Sequence, residues 1–247
     1  MVAASNGEWD KIENCWENFI NGRRGDLESL QPEIVDAWQR CAHAGVDPRA
    51  GLSSQILDET SLQAMLNRNR ELIDIARPFM GKLHQFVAGS GFVVLLADSN
   101  GYLMAASGDH DILTQSEDIN FLPGACWRED EIGNNGVGTA LTLQRPVQVS
   151  GAEHFCQKHH GWTCSGAPIF DEQNQLIGIL EMSGPVERTH LHTLGMVVAA
   201  VEAISDQLRI QQKNHEMLLL NQRLSSIYHT VSDGIITVDA EGLITQV

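Results

Sequence analysis

Between residues 8 and 80, apolar side chains recur every three or four positions, the spacing of amphipathic helices. In LQPEIVDAWQRCAHAGVDP, Ile34, Ala37, Trp38 and Cys41 share one face, Pro32 stands near the start, and Gly45 and Pro48 supply the stop. In SLQAMLNRNRELIDIARPFMGKLHQFVAGS the same spacing links Leu62, Met65 and Leu66, then Leu72, Ile75, Ala76, Phe79, Leu83 and Phe86. Pro78 is expected to bend or divide that helix. Trp9, Trp16 and Phe19 indicate a small helix ahead of these that packs on something.

The period then shortens. GFVVLLADSNGYLMAAS holds two apolar runs around Asp98-Ser99-Asn100-Gly101, a hairpin signal. RPVQVSG alternates like a short strand, and CSGAPIFDEQNQLIGILEMSG repeats the hairpin form. Four or five strands in this order predict an antiparallel sheet, and with helices on either side of it along the chain an α+β sandwich.

From about Thr189 to Thr230 the only strong breaker is Gly195. Val197, Val201, Ile204 and Leu208 form one heptad-type seam, and Met217, Leu220, Leu224, Ile227 and Val231 form a second. The two are out of phase, because nine residues separate Leu208 from Met217. Each seam can either cover the chain's own sheet or pair with a second helix. The last stretch, VSDGIITVDAEGLITQV, reads as two strands around Ala240-Glu241-Gly242; a lone hairpin is marginal in water, so the chain is expected to stop inside its next domain.

Composition narrows the function. Of 247 residues, 16 are Lys or Arg and 32 Asp or Glu, a net charge of −16, which argues against a nucleic-acid grip by these residues. No apolar run is long enough to span a membrane, and the N-terminus is not a secretory signal. Five irregularly spaced cysteines are not a disulfide framework, which points to a reducing cytoplasm.

The chemistry concentrates in GAEHFCQKHHGWTCS, with His154, Cys156, His159, His160 and Cys164. A metal site would draw on His154, Cys156 and Cys164, with Cys126 as a fourth ligand, and iron or zinc as the ion. The spacing matches no standard finger. A nucleophile would be Cys164 or Cys126 beside His154, and the same cysteines could serve a reversible redox sensor. The plain reading makes Cys164 a small buried hydrophobe and leaves His159 and His160 as loop residues in water.

Several separate motifs resemble one family. GACWREDEIGNNGVGTALTLQRPVQVSGAEHFCQKHHGWTCSGAPIFDEQNQLIGILEMSG is similar to the GAF sensory domain of acetoin- and dihydroxyacetone-type bacterial enhancer-binding activators, which work with sigma-54 RNA polymerase. DAWQRCAHAGVDP resembles their N-terminal segment, and VSDGIITVDAEGLITQV the opening of a PAS domain. The chain departs from the family at Gly133-Asn134-Asn135, at Cys164-Ser165-Gly166-Ala167-Pro168, and at Glu181, where the family carries Asp.

The resemblance implies a GAF-type antiparallel sheet flanked by helices, with an N-terminal helical region at 1–60 and the sensory domain at 61–195. A signalling helix at 196–231 would then lead into a truncated PAS domain at 232–247. It also implies a non-enzymatic regulator with no required cofactor. A cavity on one sheet face would be walled by Trp127, Phe155 and Trp162, anchored by Asn135, His154 and Thr163, and lined by Cys126 or Cys164. A small alcohol, ketone or diol would suit it. Gly133, Gly136 and Gly138 indicate tight backbone there. The expected partners are that effector and a second copy through the 196–231 helix. DNA and sigma-54 polymerase would be reached only through an ATPase and a DNA-binding domain that this stretch lacks. The competing expectations are a metal or redox sensor and a protein-docking module.

Overall fold

A computed structural model describes residues 6–23, 27, 30–117, 120–230 and 236–246 of the chain. Two compact units meet at Asp206/Gln207.

The first unit begins with α1 (Asn6–Ile20) and α2 (Pro32–His43), which bury Cys15, Trp16, Ile34, Ala37, Trp38 and Cys41. Next come α3 (Glu59–Arg68), opened by Asp58 accepting the Ser61 N–H at 2.7 Å, and α4 (Arg70–Val87). Pro78 does not divide this region: it lies inside an unbroken α4, and the break falls at Asn69. Asp74 and Pro78 are both on the exposed side, so the carbonyl that proline leaves without an N–H partner faces water.

Five strands form one antiparallel sheet in the order β2-β1-β5-β4-β3. They are β1 (Val93–Asp98), β2 (Leu103–Gly108), β3 (Val147–Ser150), β4 (Trp162–Phe170) and β5 (Leu176–Pro185). Asp98 closes the first hairpin by accepting the N–H groups of Asn100 and Tyr102, each at 2.9 Å, while Gly101 takes φ +80°. Asp171 closes the β4–β5 turn in the same way through Gln173 and Gln175.

The register separates two faces. Leu95 pairs with Glu181, Val93 and Cys164 both pair with Ser183, and Val149 pairs with Cys164, so these residues share the inner face. Val94, Leu96, Leu180, Met182, Ala167 and Ile169 share the outer face and are buried as well. Burial on both sides makes β1 read as a continuous apolar run instead of alternating. The outer face is covered in part by α4: a Cβ on Gly178 would stand 2.9 Å from Leu72 Cδ2.

Short helices α5 (His110–Glu117), α6 (Glu129–Ile132) and α7 (Gly136–Leu143) lie between β2 and β3. Their periodicity is too brief to show in the sequence. Arg40 on α2 clamps α6 by a two-pronged bond to Glu129 at 2.7 and 2.9 Å.

Helix α8 (Leu191–Thr230) runs without interruption. Of its first seam, Val197, Val201 and Ile204 are buried in the first unit, while Leu208 is half-buried and belongs to the second. In the second unit Met217, Leu220, Leu224 and Ile227 are exposed, while Val231 lies outside the described residues. A two-stranded ribbon of β6 (Thr237–Val238) and β7 (Ile244–Gln246) follows. No helix of the described residues is long and apolar enough to cross a membrane.

Candidate functional site

The loop after β3 makes two 3-10 turns, Gly151–Glu153 and Gln157–His159, and carries the histidines beneath the inner face. Its backbone is held from outside. Trp16 on α1 donates its indole N–H to Phe155 O at 2.8 Å, and Trp38 on α2 donates to Glu153 O at 2.7 Å. Asn134 completes the clamp, giving Nδ2–H to Glu153 O at 2.9 Å and accepting Phe155 N–H at 2.6 Å. Helices α1 and α2, with Asn134, therefore fix the backbone of Glu153 and Phe155.

Inside the clamp four polar side chains connect in series. His154 Nδ1 lies 2.9 Å from Gly151 O, a carbonyl that can only accept, so this nitrogen carries the proton. Its Nε2 is then free to accept from Cys164 Sγ at 3.3 Å. Ser183 Oγ stands 3.1 Å from both Cys164 Sγ and Glu181 Oε1. His154, Ser183 and Glu181 are all fully enclosed and Cys164 nearly so.

Burial sets their protonation. Loss of solvent holds the His154 ring down to about 3, with His159 adding to the effect, and holds His159 and His160 to about 4. All three rings are neutral near pH 7. Burial, reinforced by Glu181, raises the Cys164 thiol well above its usual value. Burial lifts the Glu181 carboxyl to about 7. A base touches the thiol, but the thiol stays protonated, which is the opposite of an activated nucleophile.

Two buried polar atoms have no partner among the described residues: Glu181 Oε2 and His159 Nδ1. The other nitrogen of His159 bonds Gly51 O at 3.0 Å. The carboxyl of Glu181 is pressed against α7, where a Cβ at Gly136 would lie 2.9 Å from Glu181 Cδ and 3.1 Å from Cys164 Cβ. Glycine is required at 136 by this approach rather than by its backbone angles.

Of the residues expected to line a pocket, the structure gathers Trp127, His154, Phe155, Trp162 and Cys164 on the inner side. Trp127 stacks at 3.8 Å on Phe121 and donates to Asn120 O, and Phe121 meets Trp162 edge-on at 5.7 Å. Asn135 spends its amide on structure: Oδ1 caps α7 through Gly138 N–H, and Nδ2 donates to Trp127 O and Gly133 O. Thr163 falls on the outer face and bonds Ser150 Oγ at 2.7 Å. The backbone of Cys126 forms a β-bridge with Tyr102.

Cys156 approaches Asp47 O at 3.5 Å, so the set His154, Cys156, Cys164 and Cys126 does not converge. Among the described residues no group of three His, Cys, Asp or Glu side chains is arranged to hold a metal. His159 and His160, expected as loop residues in water, are buried and half-buried respectively; Trp127 shields the first ring and Trp16 the second.

Sequence reasoning assigned no role to Glu181 or Ser183. The signal was a single acid inside the apolar run LIGILEMSG, two positions from a serine and hence on the same face. Two pockets lie away from this polar chain. One of about 330 Å³ is bordered by Trp9, Arg145, Gln148 and Glu153, and another of about 310 Å³ by Met65, Arg68, Asn100 and Tyr102.

The GAF domain family model matches residues 71–211. The chain belongs to the GAF family. A signal-transduction and transcriptional-control protein of Clostridium beijerinckii is 36% identical over 87% of this chain and 34% of its own length. The acetoin dehydrogenase operon transcriptional activator AcoR of Bacillus subtilis strain 168 is 32% identical over 84% of this chain and 34% of its own length. The chain thus spans about a third of these relatives. The E. coli DhaR(N) structure, solved in complex with DhaL, shares the fold with a TM-score of 0.79 at 20% identity, covering 87% of this chain and 72% of that one. These relatives are named for transcriptional control.

Proposed function

We propose that this GAF chain is the signal-sensing region of a sigma-54-dependent transcriptional activator. Its inner sheet face binds a small neutral effector of the alcohol, ketone or diol type. Helix α8 pairs with its counterpart in a second copy and passes occupancy to an ATPase and a DNA-binding domain outside this stretch.

The observation that supports the effector is the pair of partnerless buried atoms, Glu181 Oε2 and His159 Nδ1. An unmet buried polar group costs about 1–3 kcal/mol, which a ligand hydroxyl or carbonyl can recover. The aromatic walls Trp127, Phe155 and Trp162 supply the apolar part of such a site. The effector shifts the regulator only by binding one of its two states more tightly.

A thermal-shift screen of the 247-residue chain against small alcohols, diols, ketones, iron and zinc tests this reading. A ligand at 100 times its Kd adds about 2.7 kcal/mol of stability. Stabilisation by a neutral organic compound supports the reading. Stabilisation by iron or zinc alone, lost in His154→Ala, transfers the site to the metal sensor. A second reading, a docking module for partner proteins, draws on the DhaR(N)–DhaL complex; it predicts no response to any small molecule.

A further inference from the structure

We propose that the pocket between α1, β3 and the start of α8 is a ligand site separate from the inner sheet face, and that it takes a small organic ammonium ion on Glu153. The inference does not rest on the effector reading above, because it concerns other residues, at the edge of the sheet.

The two edges of the sheet are finished differently. Along β2 the segment 124–126 closes the edge: Leu103 N–H donates to Ala125 O at 3.0 Å, and Gly124 N–H to Leu103 O at 2.8 Å. β3 is the last strand on the other side. Ser150 gives its N–H to Glu153 Oε2 at 2.8 Å, so its backbone turns away from Thr163 opposite it on β4. Gln148, two residues earlier, turns the same way. This open edge meets a pocket of about 330 Å³, bounded also by Trp9 and Ile12 of α1 and by Leu191 and Leu194 of α8. Trp9 is held close to the chain there, since a Cβ on Gly151 would stand 3.0 Å from its ring.

Charge decides the ligand. The pocket holds two carboxylates, Glu33 and Glu153, and one guanidinium, Arg145. Arg145 is taken by Glu33, 2.6 Å away. Glu153 Oε1 has no partner among the described residues. Burial lifts this carboxyl to about 7 against the pull of the Ser150 N–H, and no cation among the described residues acts on it. A ligand cation supplies what is missing. An ammonium ion brings N–H donors and no acceptor, and the Gln148 carbonyl offers it a second oxygen beside the carboxylate. Trp9, Ile12, Leu191 and Leu194 receive its carbon chain. A carboxylate ligand would meet Glu153 and an arginine already engaged. A neutral alcohol of the same length keeps the apolar contacts but forgoes the charge-assisted bond, a loss of about tenfold. Leu191 and Leu194 lie in the first turn of α8, so an occupant rests on the start of that helix.

The test titrates the full chain with butylamine, butan-1-ol and butyrate at pH 8, where Glu153 is ionised and the amine is a cation. Calorimetry gives the affinities, and the indole N–H signals in NMR give the place. The expected result is binding of butylammonium about tenfold tighter than butan-1-ol, with no binding of butyrate. The Trp9 indole signal should move while those of Trp127 and Trp162 stay. Glu153→Gln keeps an oxygen for the Ser150 N–H and is expected to bring the amine down to the affinity of the alcohol. Equal affinity for amine and alcohol overturns the proposal, as does no binding of the amine, tighter binding of butyrate, or an amine affinity unchanged in Glu153→Gln. An amine that moves Trp127 or Trp162 in place of Trp9 overturns it too. The three-probe comparison needs only the unmodified protein, so it decides the matter even where the variant does not fold. Failure here leaves the inner-face effector untouched, because Trp127 and Trp162 report on that site separately.

Discussion

The two faces of one sheet are built from alternate residues of the same strands, yet they differ in kind. The outer face at β5 is Leu180 and Met182, apolar against apolar. The inner face of the same strand is Ile179, Glu181 and Ser183, joined through Cys164 to His154. An apolar face needs only to be covered, and any well-fitting hydrophobe serves. A buried polar chain has to satisfy each group it contains, and this one leaves two atoms unmet. The first arrangement stabilises the fold; the second tolerates a local cost that a ligand can remove.

Truncation on the outer face should produce the largest loss. Leu96→Ala removes buried contacts without touching a polar group and is expected to cost about 2–5 kcal/mol in a denaturant melt. Ligand response of the folded fraction should be unchanged. A comparable loss of ligand response would mean that the two faces are not separate in function.

The inner face should instead reveal itself through pH. Glu181 titrates near 7 in the folded chain, above the ordinary carboxyl value of 4.5. A raised carboxyl pKa means that the folded state holds the proton more tightly, so this contribution is full below the unfolded value and is lost as pH rises through 7. Between pH 5 and pH 8 the loss should amount to about 2–3 kcal/mol. Glu181→Gln should remove that part of the slope, as measured by melts of both proteins across the range. The depressed histidines act in the opposite sense: His154, His159 and His160 contribute stability above their unfolded value that is lost as pH falls through 4 to 3.

A smaller effect is expected at Asn135, whose amide caps α7 and ties it to Trp127. Asn135→Ala should cost about 1–2 kcal/mol, visible as a lower midpoint at every pH. A variant that melts normally but loses ligand response would return Asn135 to the pocket.

The smallest effect on folding belongs to the exposed seam of α8. Leu220→Ser should change stability of the first unit by less than about 0.5 kcal/mol. In sedimentation, however, it should shift the chain from dimer toward monomer. An unmodified chain that sediments as a monomer would contradict the pairing proposed for α8.

The sequence shows the sheet clearly, because its hairpins carry turn chemistry that has a mechanism: Asn100-Gly101 in one, and Asp171 with Asn174 in the other. It shows the helices α2 to α4 by their three–four spacing. It leaves open whether Pro78 divides a helix, and the division falls instead at Asn69. It is silent on α6 and α7, whose 4 and 8 residues are too short for a period. At the site it picks out His154, Cys164, Trp127, Phe155 and Trp162 by residue type. It misplaces Thr163, although the alternation Thr163-Cys164 already puts the two on opposite faces. It also treats Asn135 as a ligand anchor, because residue type alone does not separate a cap from a contact. Glu181 escapes because its link through Ser183 to Cys164 on the neighbouring strand is set by the strand register.

The most direct test is methyl NMR of the chain with a neutral hydroxy-ketone or diol added. The account predicts shifts for Leu95, Ile179 and Val149 on the inner face and none for Leu96 and Leu180, which lie on the other side of the same strands. Shifts confined to the outer face, or spread equally over both, would contradict it.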